Sequence, residues 1–170
     1  MKKQIYTSLF LAVALLAGCS KSTPEPEPAE QVIGSYKVDK YTESIKYATA
    51  ATELSQATIY PVAGKTSTGI GYEVTATLDV AKTASNMVNI TFAEKVKYSN
   101  GKTDASNSTF TSIELKKIEG SAGQFEMLDT GVKIGTIGNK SILVEEASSD
   151  KDSLGRAFTY TIRLTGTKAQ

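Results

Sequence analysis

The chain has no histidine, no tryptophan and a single cysteine among its 170 residues. The lack of histidine excludes Ser-His and Cys-His catalytic pairs and every metal site built on histidine. One cysteine excludes an internal disulfide and a cysteine zinc cluster. Neither sign of charge dominates, since 19 basic and 18 acidic side chains give a net charge of +1. Such a balance offers no electrostatic signature for nucleic acid, so we expect no nucleic-acid partner.

Long apolar runs are also scarce, and the one present lies at the N-terminus. Lys2 and Lys3 precede an uncharged stretch over residues 4–18, shorter than the roughly 20 residues that span a bilayer. This pattern is typical of a secretory signal. Its end, Leu16-Ala17-Gly18-Cys19, resembles the lipobox of bacterial lipoproteins. The resemblance implies that residues 1–18 are a cleaved signal peptide and that Cys19 carries the lipid. The alternative is an ordinary signal in which Cys19 is incidental.

Proline is rare outside one segment. Three of the four prolines, Pro24, Pro26 and Pro28, alternate with glutamates in residues 20–31. Because proline fixes φ and lacks an N–H group, it opposes both helix and sheet interiors. The sequence therefore predicts a lipid-anchored, disordered tether over residues 19–31. At about 3.1 Å per residue, an extended segment of this length would hold the following domain on the order of 35 Å from the lipid.

The remaining domain, residues 32–170, alternates apolar and polar side chains with the period of a β-strand. The clearest case is residues 71–82, where Tyr72, Val74, Ala76, Leu78 and Val80 share one face. Eight such strands are predicted, or nine if residues 57–62 pair, while residues 43–56 read as a loop or as one to two helical turns. Short connections favour an all-β, closed, antiparallel eight-stranded barrel, with a two-sheet β-sandwich as the alternative.

Two segments carry a family resemblance. Ile33-Gly34-Ser35-Tyr36 is similar to the opening G-x-W motif of the calycin superfamily, with tyrosine in place of tryptophan. Residues 135–168 resemble the last hairpin of small lipocalin-like lipoproteins of Bacteroidota. The resemblance implies a lipocalin-like barrel in which a late arginine packs over the motif aromatic. Arg163 is nearest to that place, although its alternation sets it opposite to Ile162 and Leu164.

Two glutamates occupy positions where the strand alternation would place an apolar, inward-facing side chain. Glu94 follows Val88, Ile90 and Phe92 at strand spacing, and Glu146 follows Ile142 and Val144. A carboxylate facing inward is costly unless it is paired or lies at a wet opening. One interpretation is a polar contact for a ligand whose body rests on Tyr72, Tyr98 or Tyr160. The interpretation that the pattern favours is a bulge that reverses the phase, or a strand that has left the core.

Other motifs give little chemistry. Asp150-Lys151-Asp152 starts like a calcium-binding loop, but Leu154 and Thr161 stand at ligand positions, which favours a solvated turn. Glu94 and Glu146 could serve as acid and base in glycoside hydrolysis only if the fold placed them together. We predict no catalytic residue, metal or cofactor, and hence no enzyme.

These patterns predict a non-enzymatic, lipid-anchored envelope protein whose barrel binds a small apolar or amphipathic molecule. The alternative is a protein-interaction or structural accessory module of an outer-membrane complex. The lipoprotein resemblance implies the outer membrane, facing the periplasm or the cell surface, because Ser20 rather than aspartate follows Cys19. The expected partners are the membrane, through the anchor, and a small ligand or an envelope protein.

Overall fold

The computed structural model describes residues 25–169, which form one short helix and ten antiparallel strands. The signal peptide and the acylated Cys19 predicted above lie outside the described residues. The elements, in chain order, are α1 (Pro28–Val32), β1 (Gly34–Tyr47), β2 (Leu54–Ile59), β3 (Val62–Lys65), β4 (Gly71–Ala84), β5 (Met87–Tyr98), β6 (Thr103–Lys117), β7 (Gln124–Asp129), β8 (Val132–Gly138), β9 (Ser141–Lys151) and β10 (Ala157–Lys168).

Eight of the strands form a closed ring. The hydrogen-bonded order runs β1-β10-β9-β8-β7-β6-β5-β4, and residues 34–37 of β1 pair with residues 77–80 of β4 to complete the circle. This closure confirms the predicted eight-stranded antiparallel barrel and excludes the two-sheet sandwich. β2 and β3 are additional strands. β2 pairs with β1 and begins within the segment predicted as a loop or helix, so the helical expectation for residues 43–56 was wrong.

The alternation of side chains fills one half of this barrel. We call that half, where β1 begins, the lower half. Its inward side chains are fully buried and come from most of the ring strands, among them Tyr36, Leu78, Ile90, Ile113, Phe125 and Met127. Burial of such side chains contributes roughly 1.5–3 kcal/mol each, so the lower half holds most of the apolar stabilisation.

The helix α1 closes the lower end. Ala29 and Val32 are fully buried against the barrel, and the Ala29 N–H donates to the carbonyl of Ser85 at 3.0 Å. This helix corrects the predicted tether, which was extended through Gln31. Proline is tolerated in the first turn of a helix, where an N–H would be unpaired anyway, so Pro28 starts α1 instead of preventing it.

In the upper half of the barrel, the single sheet is interrupted on two sides. The short β7 and β8 pair with β6 only at residues 114–117 and with β9 only at residues 142–144. Above them, two runs of neighbouring strands continue: β9, β10, β1 and β2, which we call the first blade, and β3, β4, β5 and β6, which we call the second blade. The blades face each other across two openings, one between β2 and β3 and one between β6 and β9. Among the described residues, no helix is long and apolar enough to cross a membrane.

Candidate functional site

A cavity of about 280 Å³ lies between the blades, directly above the filled lower half. Its wall is mostly apolar and comes from both blades: Tyr41, Ile162 and Leu164 from the first, and Phe92 and Phe110 from the second, with Tyr60 between them. Ser108 and Glu94 are its other polar side chains. A concave apolar wall with few polar groups is the usual form of a small-molecule site.

Glu94 lines this cavity because inward and outward side chains alternate without interruption along β5 from Ile90 to Glu94. It lies opposite Ala76 in β4 and opposite Ser106 in β6, and these small neighbours leave space beside the carboxylate. The predicted phase reversal was therefore wrong at Glu94. The nearest irregularity is in the pairing with β6, between Val88 and Ile90, and there the extra residue lies in β6, so the alternation of β5 is unbroken.

Tyr60, in the link between β2 and β3, is hydrogen-bonded to Glu94. Its backbone N–H donates to the carbonyl of Asp39 at 3.0 Å, which fixes the link between β2 and β3 at the base of their opening. Its hydroxyl donates a hydrogen bond to Oε1 of Glu94. Burial raises the pKa of Tyr60 above its ordinary value, and the hydrogen bond to Glu94 adds to the rise. Tyr60 is thus a neutral donor at physiological pH, and none of the ion pairs within residues 25–169 involves Glu94.

A second carboxylate stands on the first blade. Oε1 of Glu43 accepts hydrogen bonds from the hydroxyls of Tyr41 at 2.5 Å and Tyr160 at 2.8 Å. These two bonds hold the pKa of Glu43 below its ordinary value. Burial, followed by the bond to Glu43, raises the pKa of Tyr41. Each blade therefore carries one carboxylate that tyrosine hydroxyls position: Glu94 lines the cavity, and Glu43 accepts from Tyr41, which lines it.

Sequence reasoning missed Tyr41, Glu43 and Tyr60. The bulge in β1 between Val38 and Lys40 shifts the alternation, so the inward set changes from Tyr36 and Val38 to Tyr41 and Glu43. The spacing of Tyr41, Glu43 and Ile45 was readable as a strand. The sequence gives no signal for Tyr60. It lies in the link between β2 and β3, so its position depends on where these two strands end and begin.

The other predicted residues are placed apart from the cavity. Glu146 lies opposite Ile162 on the inward face of β9, but it is exposed. Tyr72 and Tyr98 lie opposite each other at the top of the second blade, and neither borders the cavity. Of the three tyrosines proposed to support a ligand, Tyr160 alone joins the tyrosine–carboxylate groups, through Glu43.

The Asp150-Lys151-Asp152 segment does not form a calcium-binding loop: Asp150 and Lys151 are the last residues of β9, and Asp152 begins the turn that follows. Asp152 accepts hydrogen bonds from the backbone N–H groups of Leu154 and Arg156, both at 2.9 Å, and pairs with the Arg156 guanidinium at 2.7 Å. These bonds, most of all those from Arg156, lower the pKa of Asp152. Within residues 25–169, no group of three or more acidic, histidine or cysteine side chains is arranged to hold a metal ion.

The family resemblance implied a late arginine packed over Tyr36, and Arg163 does not take that place. Arg163 points outward, 3.5 Å from Glu145. Lys168 takes the expected place, with its ammonium 5.6 Å from the centre of the Tyr36 ring. The reason is the strand phase, because Lys168 lies opposite Tyr36 in the pairing of β10 with β1.

Comparisons with known proteins add no family. No protein-family model matches the chain, and no curated protein matches it. Among solved structures, a de novo designed fluorescence-activating β-barrel matches 81% of this chain and 96% of its own, with 17% identity and a TM-score of 0.25. At that identity and TM-score, the similarity supports no inference about function.

Proposed function

We propose that this chain is a non-enzymatic, lipid-anchored protein of the bacterial cell envelope whose barrel binds a small apolar or amphipathic molecule between its blades. The observation that carries the proposal is the division of the barrel interior. The lower half is filled with buried side chains, whereas the upper half leaves a cavity of about 280 Å³. An interior packed for stability alone would leave few voids larger than a water molecule.

Filling the cavity tests the binding proposal. Ser108 lines the cavity from β6, and the adjacent Asn107 is exposed. Binding is measured by the thermal shift of the full chain with fatty acids, bile acids, isoprenoids and long-chain amines. We expect at least one class to raise Tm, Ser108→Phe to abolish that rise, and Asn107→Phe to preserve it. Equal responses of both variants, or no response of the wild-type chain to any class, would contradict the proposal.

The anchor implies an orientation. Lys117 pairs with Glu25 at 2.6 Å, and Lys82 pairs with Glu27 at 2.6 Å and Glu30 at 2.8 Å, all at the lower end. Exposed pairs are individually weak, but here they act together with the buried face of α1. Six residues, 19–24, then separate the lipid from the barrel, a reach of about 20 Å at most. We infer that the lower end faces the membrane and that the cavity opens away from it.

The anchor itself is tested by labelling cells with an alkyne palmitate. Label on the wild-type chain and none on Cys19→Ser is the expected result, and an unlabelled wild-type chain would overturn the anchor. Protease treatment of whole cells then distinguishes a surface-facing from a periplasmic protein. The outer membrane is the expected fraction in either case.

Exposed strand edges favour one second candidate function, an interaction module of an outer-membrane complex. β2 has β1 as its one strand partner within the described residues, and it exposes Leu54 at 67% and Ile59 at 61%. An unpaired edge with apolar side chains is a template for another strand. This candidate predicts a stoichiometric partner when the full chain is purified from envelope extracts, and loss of that partner in Ile59→Lys.

A further inference from the structure

The charges on the inward face of the two blades have one sign. Directly opposed residues of antiparallel strands share a face, so the strand pairing assigns each side chain to the inside or the outside. Five carboxylates share the face of the cavity residues: Glu43, Glu94, Asp104, Glu146 and Asp150. Within the described residues, every lysine and arginine on the strands of the blades' upper halves falls in the opposite phase, as Lys95, Lys97 and Arg163 do.

Neutral donors, and not cations, satisfy the two innermost carboxylates. Glu94 is held by Tyr60, and Glu43 is held by Tyr41 and Tyr160. Within residues 25–169, the ion pairs involve other acidic residues, and none of the five inward carboxylates takes part in one. A concave, partly desolvated surface with charges of one sign concentrates ions of the opposite sign. The space between the blades is therefore suited to a cation.

The cavity wall favours an organic cation over a metal ion. Four aromatic rings surround it: Tyr41, Tyr60, Phe92 and Phe110. Aromatic faces attract ammonium groups, and quaternary ammonium ligands are bound in such cages. The floor below these rings is apolar, because Leu164 is 3% exposed and lies one inward position deeper than Ile162.

The two features define the ligand class. Phe92 and Leu164 lie toward the filled core, whereas Glu94 and Glu43 lie one inward position nearer the opening. We propose that the cavity binds an amphiphile with a primary or quaternary ammonium head, which contacts the carboxylates and tyrosines while a short apolar body rests on the floor. The volume of about 280 Å³ is near the lower end of ligand pockets, which favours a short body. This inference rests on the proposed binding function and specifies its ligand.

A set of matched probes tests the head group. Octyltrimethylammonium, octylamine, octanol and octanoate share one apolar body, and their binding to the full chain in a neutral maltoside detergent is measured by calorimetry. We expect both cations to bind about tenfold or more tightly than octanol, a difference of about 1.4 kcal/mol, and octanoate to bind most weakly. If octanol or octanoate binds as well as the cations, this inference is overturned while the binding function stands. If no probe binds, both fail.

Two variants locate the interaction. Glu94→Gln and Glu43→Gln keep an oxygen that accepts from the tyrosine hydroxyls, so each variant is expected to fold. Each should weaken binding of octyltrimethylammonium about tenfold and leave octanol unchanged. Glu73→Gln is the matched control, because Glu73 is an exposed carboxylate on the outward face of β4. Equal weakening by Glu73→Gln, or no effect of both inward variants, would overturn the assignment.

Discussion

The hydroxyl of Tyr36 lies 2.8 Å from the carbonyl oxygen of Gly138, across the lower end of the barrel. The same hydroxyl lies 2.7 Å from the carbonyl of Val32, so one buried donor serves both α1 and the end of β8. The ring is fully buried and lies under the Lys168 ammonium. Tyr36 thus joins the helix that closes the barrel to the strands that form it.

Removing this hydroxyl should destabilise the protein. Tyr36→Phe leaves two buried carbonyls without their donor, and we expect the free energy of unfolding to fall by about 1–3 kcal/mol at neutral pH. Denaturant unfolding with circular dichroism detection measures the loss. Tyr98→Phe, at the upper rim, is the control and should change stability by less than about 0.5 kcal/mol. An unchanged Tyr36→Phe would contradict the role of this bond.

The same residue predicts an alkaline dependence. Burial raises the pKa of Tyr36 from 10.0 to about 12. The unfolded chain then releases this proton before the folded chain does, so the stabilisation is complete below pH 10 and is lost as pH rises toward 12. The free energy of unfolding should fall less steeply across this interval in Tyr36→Phe than in the wild type. Parallel curves would contradict the prediction.

Glu43 predicts an acid dependence of the opposite sign. The tyrosine hydrogen bonds lower its pKa from the ordinary 4.5, so its stabilisation is present above that value and is lost as pH falls through the lower folded value. Glu43→Gln should therefore reduce the loss of stability on acidification below about pH 5. Urea unfolding across this range measures the difference, and Glu73→Gln controls for the removal of one carboxylate.

Gly135 should tolerate no side chain. Its φ is 148°, and an added Cβ would lie 2.0 Å from the carbonyl oxygen of Leu143 on β9. Gly135→Ala must separate β8 from β9, and we expect a loss of more than about 4 kcal/mol or failure to fold. The control is Gly101→Ala, which also has a positive φ but no atom within 4 Å of the added Cβ. It should cost only about 1–2 kcal/mol, as thermal unfolding of both variants would show.

The inferred orientation can be measured with single fluorescent labels. Asn139 is exposed in the lower turn between β8 and β9, and Thr49 is exposed in the upper turn after β1. When Cys19 is acylated, a cysteine introduced at either position is the single free thiol of the chain. Quenchers within the bilayer should reduce the emission of a label at position 139 more than at position 49. The reverse order would show that the cavity faces the membrane.

The sequence predicted the fold class because strand periodicity is local. The alternation over residues 71–82 identifies the inward face of β4 whatever the strand pairs with, and Glu94 falls in the inward phase of β5 for the same reason. Tyr60 was not predictable in this way. Its contact with Glu94 joins residues 34 positions apart, and it depends on where β2 ends and β3 begins.

By itself, then, the sequence determined the all-β class, the inward phase of most strands and the absence of histidine and paired-cysteine chemistry. The tertiary structure alone decided that β1 meets β4 over four residues and that β7 and β8 are too short to close the upper half. It also decided that Glu94 lines a cavity together with Tyr41, whose hydroxyl donates to Glu43. The physical reason is that alternation specifies the face of each side chain, whereas hydrogen bonding between distant strands specifies which faces meet.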